Sequence, residues 1–163
     1  MNRTDLRLSA VVERDGRFLV VEERSSGIVV VRHPGGRMEA GESPEQAVIR
    51  KTLEETGCRI TVGGLLGVYL WIHPQTRQQY LRIVYVGEYV SCDNTLTLDD
   101  GVHAVHWLIP ADLERRSQDH RSPIVMRCVR DFLDGRRQPE NLLAGLTPLQ
   151  QNVSAVMANA ALV

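Results

Sequence analysis

Between Gly36 and Cys58 the chain reads GRMEAGESPEQAVIRKTLEETGC, and its carboxylates fall into two groups. Glu39 and Glu42 follow the glycine pair Gly35-Gly36; Glu54 and Glu55 come twelve and thirteen residues after Glu42. Glycines at the end of a strand let backbone approach a ligand closely and leave carbonyls facing inward. A loop folding back over a helix would bring the two groups of acids together. Like charges held close are unfavourable unless something positive sits among them. Hard oxygen donors favour Mg²⁺ or Mn²⁺, ions that commonly bring phosphate-bearing substrates with them. The plainer alternative is a solvated Glu-Glu pair, supported only by Arg50 four residues before Glu54.

The element that must position these acids is well marked. Ser43, Pro44 and Gln46 supply an N-cap, a first-turn proline and the partner of a capping box, and Gly57 is a C-terminal stop. They bracket a helix of about 13 residues. At its helical spacing Ile49, Thr52, Leu53 and Thr56 form the packing side, and Arg50, Lys51, Glu54 and Glu55 the charged side. Before it, Leu6 to Val12 alternates as a strand, Asp15-Gly16 marks a hairpin, and Arg17–Glu22 and Gly27–Val31 are the next strands. After it come strands over Gly63–Ile72, Tyr80–Val90 and Val102–Leu108, with helices opening at Pro110 and at Ser122-Pro123. Strands on both sides of one early helix, with helices at the end, predict a mixed α/β fold.

The full spacing resembles the signature of the Nudix hydrolases, G-x5-E-x7-R-E-U-x-E-E-x-G-U with U apolar: Gly36, Glu42, Arg50, Glu54, Glu55 and Gly57 all fall in register. Thr52 stands at an apolar position, and Lys51 replaces the first glutamate of the R-E pair, reversing its charge. The resemblance implies an α/β/α sandwich with a mixed sheet and a Mg²⁺- or Mn²⁺-dependent hydrolase of phosphoric anhydrides. It implies Glu54 and Glu55 as metal ligands, the Gly35 carbonyl as a third, and Glu42 with Arg50 as a brace between loop and helix. A further acid is expected from the loop before the last strand; Asp99 and Asp100 are the candidates, and Asp100 is the one chosen. With lysine at position 51, another acid or the metal must activate water, at a rate about 10²–10⁴-fold below that of an intact box. The alternative is a catalytically impaired nucleotide-binding module. Val11–Glu23, the run around Trp71, Tyr80–Arg82, His106–Leu108 and Arg121–Pro123 are similar to a bacterial subgroup, the NudJ-like enzymes. That subgroup acts on nucleoside di- and triphosphates and a thiamine-precursor pyrophosphate.

Beyond the box, Trp71 and Tyr80 are candidates to stack on a base, and Arg82 and Arg37 to hold phosphate. Arg32 beside the glycine turn is a further phosphate candidate. His103 and His106, three apart on a strand, face opposite ways and are not taken as metal ligands. Cys58, Cys92 and Cys128 lack zinc or disulfide-framework spacing, and Cys58 and Cys128 are expected as small buried hydrophobes.

With 163 residues, 43% of them hydrophobic, and a formal charge of -1, the chain can close one core and carries no basic field for a nucleic-acid polymer. No apolar run approaches the ~20 residues of a membrane span. The expectation is a cytoplasmic monomer or homodimer acting on a small phosphate-containing substrate. Residues 1–145 would form the Nudix domain and 146–163 a C-terminal helix or flexible tail.

Overall fold

The computed structural model describes residues 3–146. The element expected over 149–162 lies outside the described residues. The helix predicted from its caps is α1, Pro44–Thr56. Ser43 and Gln46 close the capping box at both hydrogen bonds, and Gly57 ends the helix in the left-handed region, with φ of 70°.

Seven strands form one mixed sheet. β1 (Asp5–Arg14) and β2 (Arg17–Ser25) meet at the Asp15-Gly16 hairpin and then diverge. Beyond it, β2 is flanked by β3 (Ile28–Arg32) and β7 (Val102–Leu108), both antiparallel. β1 pairs in parallel with β6 (Gln79–Cys92), which pairs antiparallel with the edge strand β5 (Cys58–Ile72). The Gly35-Gly36 stop is itself a two-residue strand, β4, set against Leu8 and Ser9 of β1. A Cβ on Gly35 would lie 2.0 Å from the Leu8 carbonyl oxygen, so only glycine permits this approach. β5 starts five residues earlier than predicted, at Cys58, because bulges around Gly64 and Gly67 let the strand bend without ending.

Alternation along β1 divides the core. Leu8, Ala10 and Val12 join Ala47 and Val48 of α1 on one face; Val11 joins Val125, Cys128 and Val129 of α3 (Ile124–Leu133) on the other. The short helix α2 (Pro110–Arg115) buries Leu113 in the second cluster. Each fully buried Val or Leu contributes about 1.5–3 kcal/mol, enough to fix both helices on the sheet. The α/β/α sandwich is thus observed.

Two expectations need correction. Ile49 is exposed, and the buried side of α1 is Ala47, Val48, Thr52, Glu55 and Thr56. A glutamate counts as outward-facing in a sequence pattern, but Glu55 is buried because a guanidinium from β3 neutralises it. Cys58 is not a free thiol: it faces Cys92 across the β5–β6 ladder and the two form a disulfide. Their separation of 34 residues hides a pairing that only the strand register brings together. Cys128 is buried and free, as expected.

Candidate active site

The helix, β4 and the loop before β7 converge on one cluster of charge. Arg50, midway along α1, holds Glu42 through Nη2 at 2.9 Å and reaches Glu54 through Nη1 at 3.2 Å. Its Nη2 also donates to the Arg37 carbonyl at 3.2 Å, pinning the loop to the helix. The Arg50 hydrogen bond, aided by the Glu39 amide, holds the Glu42 carboxyl down to about 2. Glu55 lies deeper, with 5% of its side chain exposed. It accepts Arg32 Nη1 at 2.7 Å and Nη2 at 3.1 Å, and the Gly35 amide at 3.1 Å.

Lys51 sits at the centre. Its Nζ lies 2.9 Å from Glu54 Oε2 and 3.7 Å from Glu55 Oε1, and it donates to Asp99 Oδ2. Burial works against its charge, but the hydrogen bonds to Asp99 and Glu54 outweigh that and hold its pKa above the ordinary lysine value. The Asp99 amide donates to the Glu54 carbonyl at 2.9 Å, which draws the loop onto the C-terminal turn of α1. Of the two adjacent acids in this loop, Asp99 meets the cluster. Asp100, the one chosen from sequence, is exposed and makes no such contact.

A divalent ion shared by Glu54, Glu55 and the Gly35 carbonyl would need free oxygens facing one point. Both Glu55 oxygens already face Arg32, the Gly35 carbonyl takes the same arginine at 3.5 Å, and Glu54 takes Arg50 and Lys51. The donor types suit Mg²⁺ or Mn²⁺. Their arrangement does not fit a resident ion, because an ammonium holds the shared position. No group of three or more His, Cys, Asp or Glu residues poised for a metal is found among the described residues.

On the α3 side of the sheet the substrate candidates gather in a cavity of about 570 Å³. Trp71 and Tyr80 face each other across the β5–β6 ladder and stack, with ring centroids 5.5 Å apart. Arg82 lines the same cavity and makes no hydrogen bond or ion pair among the described residues. Burial, then the neighbouring Arg7, Arg121 and Arg32, lower its pKa to about 10 against a weaker opposing pull from Asp5, so it stays charged at neutral pH. Arg121 and Glu23, which sequence reasoning did not assign to the site, stand on the wall and pair with each other. Glu23 Oε1 also accepts Arg32 Nη2 at 2.6 Å, so Arg32 ties the cavity wall to Glu55 instead of lying free for phosphate. Arg37 is not brought here. It is 70% exposed and turns to Asp5 at 3.4 Å.

Comparison with known proteins decides the family. The NUDIX domain model matches residues 4–128. The chain belongs to the Nudix family. A Nudix hydrolase from Nitrosomonas europaea is 33% identical and superposes with a TM-score of 0.80 over 92% of this chain and 98% of its own. Phosphatase NudJ of Escherichia coli K12 is 28% identical over 143 residues, 88% of this chain and 92% of that protein. A UDP-X diphosphatase shares the fold, with 20% identity and a TM-score of 0.66 over 85% of this chain and 67% of that one. This Nudix chain is a hydrolase of phosphoric anhydrides.

Proposed function

We propose that this Nudix protein hydrolyses a nucleoside diphosphate derivative, whose base stacks in the Trp71–Tyr80 cavity and whose phosphates reach towards the Glu54–Glu55 cluster. The observation that carries the reading is Arg82: a charged, mostly enclosed guanidinium with no hydrogen bond or ion pair among the described residues, beside a stacked aromatic pair. Aromatic faces take a base, and a guanidinium fork takes a phosphate. The name of NudJ, a phosphatase, agrees with cleavage at phosphorus, and that of UDP-X diphosphatase with a nucleoside diphosphate derivative as substrate.

In the reaction a water oxygen attacks one phosphorus, the bond from that phosphorus to the bridging oxygen breaks, and the released phosphate retains the bridging oxygen and takes up the proton. Glu54 and Asp99 keep 36% and 39% of their side-chain surface open, whereas Glu55 is sealed. The first two are therefore the carboxylates a water can reach, and an accepted hydrogen bond there orients its lone pair towards phosphorus. Glu55, Arg32 and Glu42 with Arg50 position them. A divalent ion, Mg²⁺ or Mn²⁺, would be carried by the substrate phosphates rather than held by these residues, and would supply charge neutralisation on the phosphate oxygens.

The test is release of phosphomonoester or inorganic phosphate from nucleoside di- and triphosphates, nucleoside diphosphate derivatives and a thiamine-precursor pyrophosphate, with MgCl₂ or MnCl₂. Release is expected from a nucleoside derivative. Release confined to the thiamine precursor would move the substrate class. No release from any member, alongside retained nucleotide binding, would favour a binding module, which Lys51 among the carboxylates otherwise supports.

A further inference from the structure

We propose that the Lys51 ammonium is the resident cation of the Glu54–Glu55–Asp99 cluster, so that the free protein binds no divalent ion there. The proposal takes from the reading above only that this cluster is the reaction centre. One positive nitrogen is shared among carboxylates from α1 and from the loop before β7, at 2.9 Å from Glu54, 3.7 Å from Glu55 and hydrogen-bonded to Asp99. That is the placement of a small bound cation.

The side chain is built into position. Only 17% of it is exposed, and its stem lies on Gly36, where a Cβ would meet Lys51 Cε at 2.9 Å. Helical spacing sets Glu54 and Glu55 three and four residues on, beside the ammonium. The Asp99 amide bonded to the Glu54 carbonyl sets the third acid against it. A competing divalent ion must also approach Arg32, which already takes both oxygens of Glu55. Repulsion between a divalent ion and a unit charge a few ångströms away is large even at the effective dielectric near a protein surface. The same repulsion keeps free Mg²⁺ from loading the enzyme beforehand.

The probe is MnCl₂ alone, without nucleotide. Free Mn²⁺ is followed by its paramagnetic resonance signal, and stability by thermal melting, for the wild type and Lys51→Gln. The wild type is expected to leave the signal and its melting temperature unchanged. Lys51→Gln is expected to melt lower in EDTA, to recover with Mn²⁺, and to bind Mn²⁺ at least about 10²-fold more tightly than the wild type. A second change, Glu54→Gln, removes that gain. Tight Mn²⁺ binding by the free wild type that Asp99→Asn or Glu54→Gln abolishes would overturn the proposal, as would a folded Lys51→Gln that gains nothing. Where Lys51→Gln does not fold, the wild-type titration and its two acid variants decide. Because no substrate is present, a failed phosphate-release panel leaves this result intact, and the reverse also holds.

Discussion

Two places in this molecule bury carboxylates among cations, and they are built in different proportion. Glu22, in the middle of β2 and 3% exposed, is one acid with three nitrogen donors: Arg24 Nε at 2.7 Å, Arg116 Nη2 at 2.9 Å and His106 Nε2 at 2.9 Å. Burial pushes its pKa up, but the hydrogen bonds, Arg116 foremost, bring it down to about 2. At the end of α1 three acids meet three cations, the Lys51 ammonium and the guanidinium groups of Arg50 and Arg32, and two of the acids open to solvent. An acid outnumbered by donors and sealed from water is a fastening between strands and α2. Acids that are not outnumbered by their cations, and that water can reach, are where a reactant can be held. The presence of a buried ion pair therefore says little. The ratio and the exposure separate structure from chemistry.

The sharpest way to break that comparison is to neutralise one acid in each place. Glu54→Gln is expected to reduce turnover about 10²–10⁴-fold, since it removes a water-orienting carboxylate. It should move the melting temperature little, because Glu54 is over a third exposed and its ion pairs are worth little there. Steady-state rates and melting curves on one preparation check both halves. Unchanged turnover with a large loss of stability would place Glu54 with Glu22 among the fastenings.

Glu22 carries the next largest effect, on stability against pH. Its carboxyl ionises at about 2 in the folded chain against 4.5 ordinarily, so its contribution is complete above about 4.5 and is lost as pH falls towards 2. The shift corresponds to about 3 kcal/mol. Urea unfolding of the wild type should weaken across this window, and the difference between its profile and that of Glu22→Gln separates the Glu22 share from those of Glu42, Glu23 and Asp5. Glu22→Gln should start less stable and show a flatter profile, while its turnover at neutral pH stays that of the wild type. Parallel profiles for the two proteins would mean that Glu22 is not the anchor.

The contrast also shows what the sequence could disclose. The caps of α1, the alternation of β1 and the box spacing are local signals, and they placed Glu42, Arg50, Glu54 and Glu55 on the right elements. Asp99 was taken second to Asp100 because which of two adjacent loop acids turns inward depends on a backbone contact to Glu54, not on residue type. The burial of Glu55 and the place of Arg32 arise from a pairing 23 residues apart, and the Cys58–Cys92 bridge from register alone. Arg37 went astray for the opposite reason. Proximity in sequence to the glycine turn carries no information about where a long exposed side chain points.

The smallest expected effect lies in the cavity, and it refines the contrast by asking whether an unpaired cation behaves as the complement of the acid-rich cluster. Arg82→Lys keeps the charge but loses the planar fork, and Trp71→Leu keeps apolar volume but loses the stacking face. Each should raise KM for a nucleoside diphosphate derivative about 10-fold, equivalent to about 1.4 kcal/mol, and leave kcat within a few-fold. Arg82 has no partner to orphan among the described residues, so its replacement should not lower stability. Because lysine keeps the charge that Arg7, Arg121 and Arg32 oppose, the stability of Arg82→Lys should stay near that of the wild type. An Arg82→Lys protein with unchanged KM and lower stability would show that the guanidinium serves the fold, and the cavity would then have no phosphate handle to set against Lys51.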